Sequence, residues 1–94
     1  MELFWTNEAI ADREKIFDFI ETDNPPAAAL ALDQLFSEAT ARLVNRPDLG
    51  RPGRVSGTRE LVAHHNYILI YDVAGDALRV LRILHAAHQW PLSR

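Results

Sequence analysis

The sequence predicts an α+β domain of order β-α-α-β-β-β, in which a helical hairpin packs on a mostly antiparallel four-stranded sheet. Two stretches with apolar residues at helical spacing come first. Three β-rich runs follow, over about residues 58–63, 67–73 and 77–84, and the connections between them are short enough for antiparallel hairpins. The chain has 94 residues, of which 48% are hydrophobic, so we expect one domain over residues 1–94.

The elements that precede the three runs have recognisable boundaries. Residues 3–5 predict the first strand, and Thr6 or Asn7 caps the helix that follows. That helix ends before Asn24, because the residue before a proline is biased out of the α region. The prolines that come next open a second helix, which stops near Asn45. The predicted apolar stripes are Ile10, Ile16, Phe17 and Ile20 in the first helix, and Ala28, Leu32, Leu35, Phe36, Ala39 and Leu43 in the second.

The last two β-rich runs are predicted to be central strands. Both are apolar at even and odd positions alike, which is typical of strands that are covered on much of both faces. The connection between the two helices is short, so the helices are expected to form an antiparallel hairpin.

Composition excludes several classes of protein. The chain has no cysteine, so a disulfide framework, a thiol nucleophile and a cysteine-based metal site are excluded. Its histidines and carboxylates lack metal-ligand spacing, and we expect no cofactor or metal. The first residues do not have the basic start and long apolar stretch of a signal peptide, and no apolar run reaches the ~20 residues that span a bilayer. A cytoplasmic location without membrane contact is expected.

Charge is divided between the two halves of the chain. Residues 1–41 carry nine acidic and two basic side chains, a net charge of −7. Residues 42–94 carry eight arginines and four acidic side chains, a net charge of +4. Such asymmetry can create a basic surface on a protein whose net charge is −3. Alternatively, the arginines are solvated or pair with the acidic helices.

Short motifs support a more specific interpretation. They are Asn24-Pro25, Gly50-Arg51-Pro52-Gly53-Arg54-Val55, Gly57-Thr58-Arg59-Glu60-Leu61-Val62, Tyr67-Ile68-Leu69-Ile70-Tyr71, and Leu81-Arg82-Ile83-Leu84-His85 followed by Gln89-Trp90-Pro91. Each motif alone is weak, but their joint order over the whole chain resembles the RelE/ParE toxins of type II toxin–antitoxin modules. Within that superfamily the chain is most similar to the ParE-like or StbE-like branch.

The resemblance implies a growth-inhibiting toxin that is neutralised by an antitoxin encoded beside it. The antitoxin's C-terminal segment wraps the toxin, and its N-terminal domain binds the operator, so this chain would meet operator DNA only through the antitoxin. The family splits by target. RelE-like members cut messenger RNA on the ribosome, whereas ParE-like members inhibit DNA gyrase.

Three residues are the catalytic candidates if the chain is a nuclease, because RNA cleavage needs proton transfer and charge stabilisation at a phosphate. They are Arg59, His85 and His88. The alternative for His85 is structural, with the imidazole donating to a backbone carbonyl or packing on Trp90. His88 is a departure, since many ParE-like members have arginine there. RelE-type nucleases have basic residues where this chain has Leu61 and Ile68, which counts against nuclease activity.

Binding residues are predicted on the strand half of the chain. Arg79 and Arg82 differ in parity and cannot share a face of a regular strand, so at least one should pair with the acidic helices. Trp5 is expected either at an interface or in the core. His64 and His65 are interpreted as solvated turn residues. The predicted target- or antitoxin-binding residues are Arg54, Arg59, Arg82, His85 and Trp90.

The sequence therefore predicts a toxin that inhibits DNA gyrase by protein–protein contact, with the C-terminal strand and tail near the contact surface. The alternative is a ribosome-dependent mRNA endoribonuclease. A third possibility is an inactivated toxin that is retained for antitoxin binding and operator control.

Overall fold

The computed structural model describes residues 1–87, and it has the predicted order with one short strand added. The elements are β1 (Glu2–Trp5), α1 (Asn7–Asp23), α2 (Pro26–Asn45), β2 (Arg51–Pro52), β3 (Arg59–His64), β4 (Tyr67–Ala74) and β5 (Ala77–His85). Both helices begin and end where the sequence predicts. Thr6 caps α1, since its Oγ1 accepts a hydrogen bond from the amide of Ala9 at 3.1 Å, and Pro26 occupies the first position of α2.

The sheet has five strands in the order β1-β5-β4-β3-β2. β1 runs parallel to β5, and the other neighbouring pairs are antiparallel. The last two long strands lie at the centre, as predicted. The sequence does not predict the fifth strand, because β2 has only two residues and lies in the segment rich in glycine and proline between α2 and β3, where it pairs with Glu60 and Arg59 of β3.

The two helices cover one face of the sheet. Alternate β4 residues Tyr67, Leu69 and Tyr71 pack there with apolar residues of α2 such as Phe36 and Leu43. The β4 residues between them belong to a smaller cluster on the opposite face, whose members are Ile68, Ile70, Leu84 and the half-buried Leu81.

Two predicted stripe positions are wrong. Ile10 is 44% exposed and Ala28 is also exposed, whereas the adjacent Ala9 and Ala29 are buried. At these two positions the buried residue is the neighbouring alanine, whose small side chain lets the helix approach the rest of the core closely. Ile10 therefore lies on a flank of α1 and not on the face that packs against the core.

The β4–β5 hairpin departs from regular pairing at one position within β5 and reverses at a glycine. In β5 the register with β4 shifts so that Leu81 is an extra residue between Val80 and Arg82. The β4–β5 connection turns at Gly75, whose φ of 60° suits glycine. Among residues 1–87, neither helix combines the length and apolarity needed to cross a membrane.

Candidate functional site

A groove lies where the C-terminal half of α1, the start of α2 and the ends of β3–β5 meet. It consists of two adjoining cavities of about 440 and 560 Å³. Both are lined by Phe19, Tyr67 and His85, and the second also by His64. We call this surface the histidine groove.

Tyr67 is the centre of an aromatic cluster in the histidine groove. It is buried, and its ring packs edge-on against Phe36 at 6.0 Å between centroids. The His85 ring packs edge-on against it at 5.4 Å, and the His64 ring lies 6.1 Å away. The His64 ring also stacks with that of His65 at 4.0 Å. The two turn histidines are therefore packed together, with His64 half-buried, rather than both fully solvated as the sequence suggested.

Hydrogen bonds orient two imidazoles of the histidine groove. Nδ1 of His64 accepts from the amide of Asn66, and Nδ1 of His85 accepts from the amide of Ala87, each at 3.1 Å. In both rings the hydrogen bond is accepted at Nδ1, which fixes how the imidazole is oriented. Burial lowers the pKa of His64 below its ordinary value of 6.5, and the neighbouring His65 lowers it further.

Arg82 is held on one wall of the groove by α1. It donates to both carboxylate oxygens of Asp12 at 2.7 and 3.0 Å, and Asp12 also accepts from the amide of Ile83 at 3.0 Å. The hydrogen bond to Asp12 raises the pKa of Arg82. The predicted pairing of a strand arginine with the acidic helices is confirmed here. The other strand arginine, Arg79, pairs instead with Asp72 of β4.

Arg59 lies outside the groove, at the start of β3. Its Nη1 donates to the carbonyl oxygens of Gly50 at 2.6 Å and Asp48 at 3.4 Å. The same loop is fixed by Tyr71, whose hydroxyl accepts from the amide of Gly50 and donates to the carbonyl of Pro47. Gly50 is required there, because a Cβ would come within 2.6 Å of the Tyr71 hydroxyl oxygen. Arg59 thus bonds to the loop that precedes it.

The remaining predicted site residues are distributed as follows. Arg54 has an exposed side chain, and its amide donates to the buried carboxylate of Glu60. His88 and Trp90 lie outside the described residues. Trp5 is half-buried against the main core, which matches the expectation of core packing. Within residues 1–87, no group of three or more histidine, aspartate or glutamate side chains could hold a metal ion.

Sequence reasoning missed Phe19, which is 67% exposed between the two cavities. The sequence does contain an indication of this position. Phe19 lies outside the predicted apolar stripe of α1, so the helix pattern predicts an aromatic ring exposed on its surface. Tyr67 was also missed as the hub of the cluster. The groove offers an apolar surface with a few polar groups, which is typical of binding sites.

Comparison with known proteins decides the family. A family model described as the ParE toxin of the type II toxin–antitoxin system parDE matches residues 3–90. This chain belongs to the ParE toxin family.

Relatives of this ParE toxin agree with the assignment. The candidate toxin Y4kP of Sinorhizobium fredii is 40% identical over 93% of this chain and 90% of its own length. Toxin RelE2 of Caulobacter vibrioides is 35% identical over 92% of this chain and 96% of its own length. The chromosomal ParDE system of P. aeruginosa contains a chain that is 32% identical, with a TM-score of 0.81 over 90% of this chain and 95% of that one. A YoeB/ParE toxin from Agrobacterium tumefaciens, 16% identical with a TM-score of 0.65 over 90% of this chain and 98% of that one, shares the fold.

Family membership settles the biological class. The chain is a toxin of a type II toxin–antitoxin system. The superfamily and the α+β fold that the sequence motifs predicted are both confirmed.

Proposed function

We propose that this ParE toxin inhibits DNA gyrase by protein–protein contact, that the histidine groove forms part of the contact surface, and that a cognate antitoxin neutralises it. The single observation that carries the proposal is the separation of the groups that would have to cooperate in RNA cleavage.

Arg59 and His85 lie on the two strands that flank β4, at different levels along it. Arg59 pairs with Tyr71, and His85 pairs with Tyr67, four residues earlier on β4. Strand geometry then separates them by roughly 14 Å along β4 and roughly 10 Å across two strand spacings. A general acid or base and a phosphate-stabilising cation must both reach one scissile phosphate. This pair does not meet that requirement.

The strands also lack a phosphate clamp. Leu61 packs against the main core, and Ile68 is buried in the smaller cluster on the opposite face. Arg82 is neutralised by its two hydrogen bonds to Asp12. The positions that bear cations in RelE-type nucleases are therefore apolar here, which favours contact with a protein over contact with RNA.

The histidine groove has the features of a protein contact surface. Phe19 is exposed, and apolar residues of both helices flank it, including Ile16, Leu32 and Leu35. Aromatic anchors surrounded by a partly polar rim are typical of such surfaces. The groove also lies at the end of β5, where the sequence placed the contact.

Antitoxin neutralisation is supported by the family description and by structures of similar fold. The P. aeruginosa chain comes from a ParDE toxin–antitoxin system, and a YoeB–YefM complex from Staphylococcus aureus shares the fold at a TM-score of 0.61. We expect this toxin to be stored in a complex of the same kind.

The proposal is tested by inducing the toxin without its antitoxin and following DNA, RNA and protein synthesis by pulse labelling. We expect DNA synthesis to stop first, with an SOS response. An early stop in translation with cleaved messages would overturn the proposal. Unchanged growth at normal expression would instead identify an inactivated toxin.

A ribosome-dependent endoribonuclease is the second candidate, and two observations favour it. Toxin RelE2 is a relative over 96% of its own length, and the His85 imidazole lines both cavities of the histidine groove. Combined His85→Ala and His88→Ala substitutions should abolish a nuclease. A contact inhibitor should instead lose toxicity mainly when the residues after Leu84 are deleted.

A further inference from the structure

The flank of α1 opposite the histidine groove carries a second groove of about 610 Å³. Its apolar lining is formed by Trp5, Ile10 and Phe17, and its acidic lining includes Glu14 and Asp18. We call it the acidic groove. Ile10 is 44% exposed, and both acidic side chains are on exposed positions.

Arg13 forms a rigid wall of the acidic groove and leaves its charge negative. The guanidinium lies 4.8 Å from the centre of the Trp5 ring and donates to both carboxylate oxygens of Asp33, at 2.6 and 3.0 Å. It also donates to Ser37 at 2.6 Å. Because Arg13 and Asp33 neutralise each other, the charge of the groove is that of Glu14 and Asp18.

The spacing of the lining residues fits a helical ligand. Ile10, Glu14 and Phe17 are at positions i, i+4 and i+7, so they form one stripe along α1. The stripe from Ile10 to Asp18 is about 12 Å long at 1.5 Å per residue, which is the length of about two helical turns. An amphipathic helix binds such a stripe through its own i, i+3, i+4 and i+7 residues.

The distribution of charge indicates which partner segment fits. Arg59, Arg79 and Arg82, which an acidic antitoxin segment could have bound, already make hydrogen bonds within the toxin. The acidic groove has an uncompensated negative charge beside exposed apolar surface, so its complement is basic and apolar. The groove also adjoins the open edge of the sheet, since Trp5 lies on β1, which pairs only with β5 in the described chain, and the exposed Leu3 has the same parity as Trp5 on that strand.

We propose that the acidic groove binds a short amphipathic helix of the antitoxin, whose apolar side chains pack on Ile10 and Phe17 and whose lysine or arginine side chains face Glu14 and Asp18. This inference rests on the proposed function in one respect, namely that an antitoxin neutralises this toxin. A partner that stays bound throughout storage covers exposed apolar surface that would otherwise favour aggregation. The two grooves lie on opposite flanks of α1, so one polypeptide can cover both.

The test compares two double variants in binding to the purified antitoxin. The groove variant is Ile10→Ser with Glu14→Lys. Its matched control is Leu30→Ser with Glu38→Lys, which makes the same chemical changes at exposed positions of α2 that do not line the groove. We expect the groove variant to weaken antitoxin binding by about 30-fold or more, and the control by about threefold or less. Equal affinities for the two variants would overturn the inference.

Two further measurements complete the test. Exchanging a basic residue of the antitoxin helix for glutamate should restore part of the affinity for toxin carrying Glu14→Lys, and a cycle with no coupling between the two sites would contradict the proposed contact. The groove variant expressed alone should arrest growth as the wild type does. If the wild type arrests no DNA synthesis, the gyrase proposal fails, while the affinity measurement still decides the acidic groove.

Discussion

Arg59 is the residue whose role best separates a catalytic account from a structural one. Its guanidinium donates to two loop carbonyls, those of Gly50 and Asp48, and it is only partly exposed. We expect Arg59→Ala to lower the free energy of unfolding by about 1–3 kcal/mol, because the carbonyls lose a charged donor. Toxicity per folded molecule should not change. The measurement is chemical denaturation together with a growth assay corrected for folded protein.

The control for Arg59→Ala is Arg54→Ala, which removes an exposed guanidinium from the same loop region. It should leave the denaturation midpoint unchanged. A catalytic role for Arg59 would be revealed by the opposite pattern, in which stability is retained and toxicity is lost.

His64 makes stability depend on pH. Because the folded protein has a His64 pKa below the ordinary 6.5, the unfolded chain binds a proton more readily near and below that value. His64 therefore contributes to the free energy of unfolding above about pH 6.5. This contribution is lost as the pH falls through the lowered pKa of His64 in the folded protein. Protonation also removes the Nδ1 acceptor for the amide of Asn66.

We expect His64→Asn to show a smaller loss of stability than the wild type between about pH 7.5 and pH 5.5. Asparagine can still accept from the turn amide but does not titrate. Denaturation curves at several pH values measure the difference. Parallel pH profiles for the two proteins would show that His64 is not a source of the pH dependence.

Among the elements, α1 lines a groove on each of its two flanks. Phe19 faces the histidine groove, and Ile10 faces the acidic groove. We expect Phe19→Ser to reduce gyrase inhibition by about tenfold or more, as for an aromatic anchor at a protein interface. Its stability should stay near that of the wild type, because the ring is 67% exposed. Leu30→Ser, at a residue that is 60% exposed on α2, is the matched control and should inhibit normally.

The elements themselves were largely predictable from the sequence, because capping residues, prolines and β-rich runs that are apolar at both parities are local signals. The Thr6 cap, the end of α2 at Asn45 and the central position of β4 and β5 followed from them. The extra residue at Leu81 could not be predicted, since a bulge is defined only by the register with β4. The pairing of Arg82 with Asp12 joins residues 70 positions apart and depends on that docking.

The candidate site was predicted less well than the fold. His85 is predicted from its place at a strand end. Phe19 belongs to no motif, and the motif that contains Tyr67 indicates a strand but not a site, although both residues line the groove with His85. Arg59 is a catalytic candidate in the sequence because it is a cation. In the structure its guanidinium donates hydrogen bonds to carbonyl oxygens of the preceding loop. Local sequence does not show whether an arginine makes its hydrogen bonds within the fold or to a ligand.

Across the whole molecule, the strand half and the surface of α1 differ in charge. Three arginines of the strand half, Arg51, Arg79 and Arg82, pair with the carboxylates of Glu60, Asp72 and Asp12, so the basic surface expected from the charge asymmetry is neutralised in part. The surface of α1 keeps its acidic character at Glu14 and Asp18. This distribution suits protein partners better than a nucleic-acid target.

Inhibition of gyrase by contact can be measured with purified components. The assay follows the supercoiling of relaxed plasmid by purified gyrase as purified toxin is added. We expect dose-dependent loss of supercoiling by the wild type, prevented when antitoxin is added first, and weaker inhibition by Phe19→Ser than by Leu30→Ser. Unimpaired supercoiling at toxin concentrations that cause message cleavage on purified ribosomes would contradict the account.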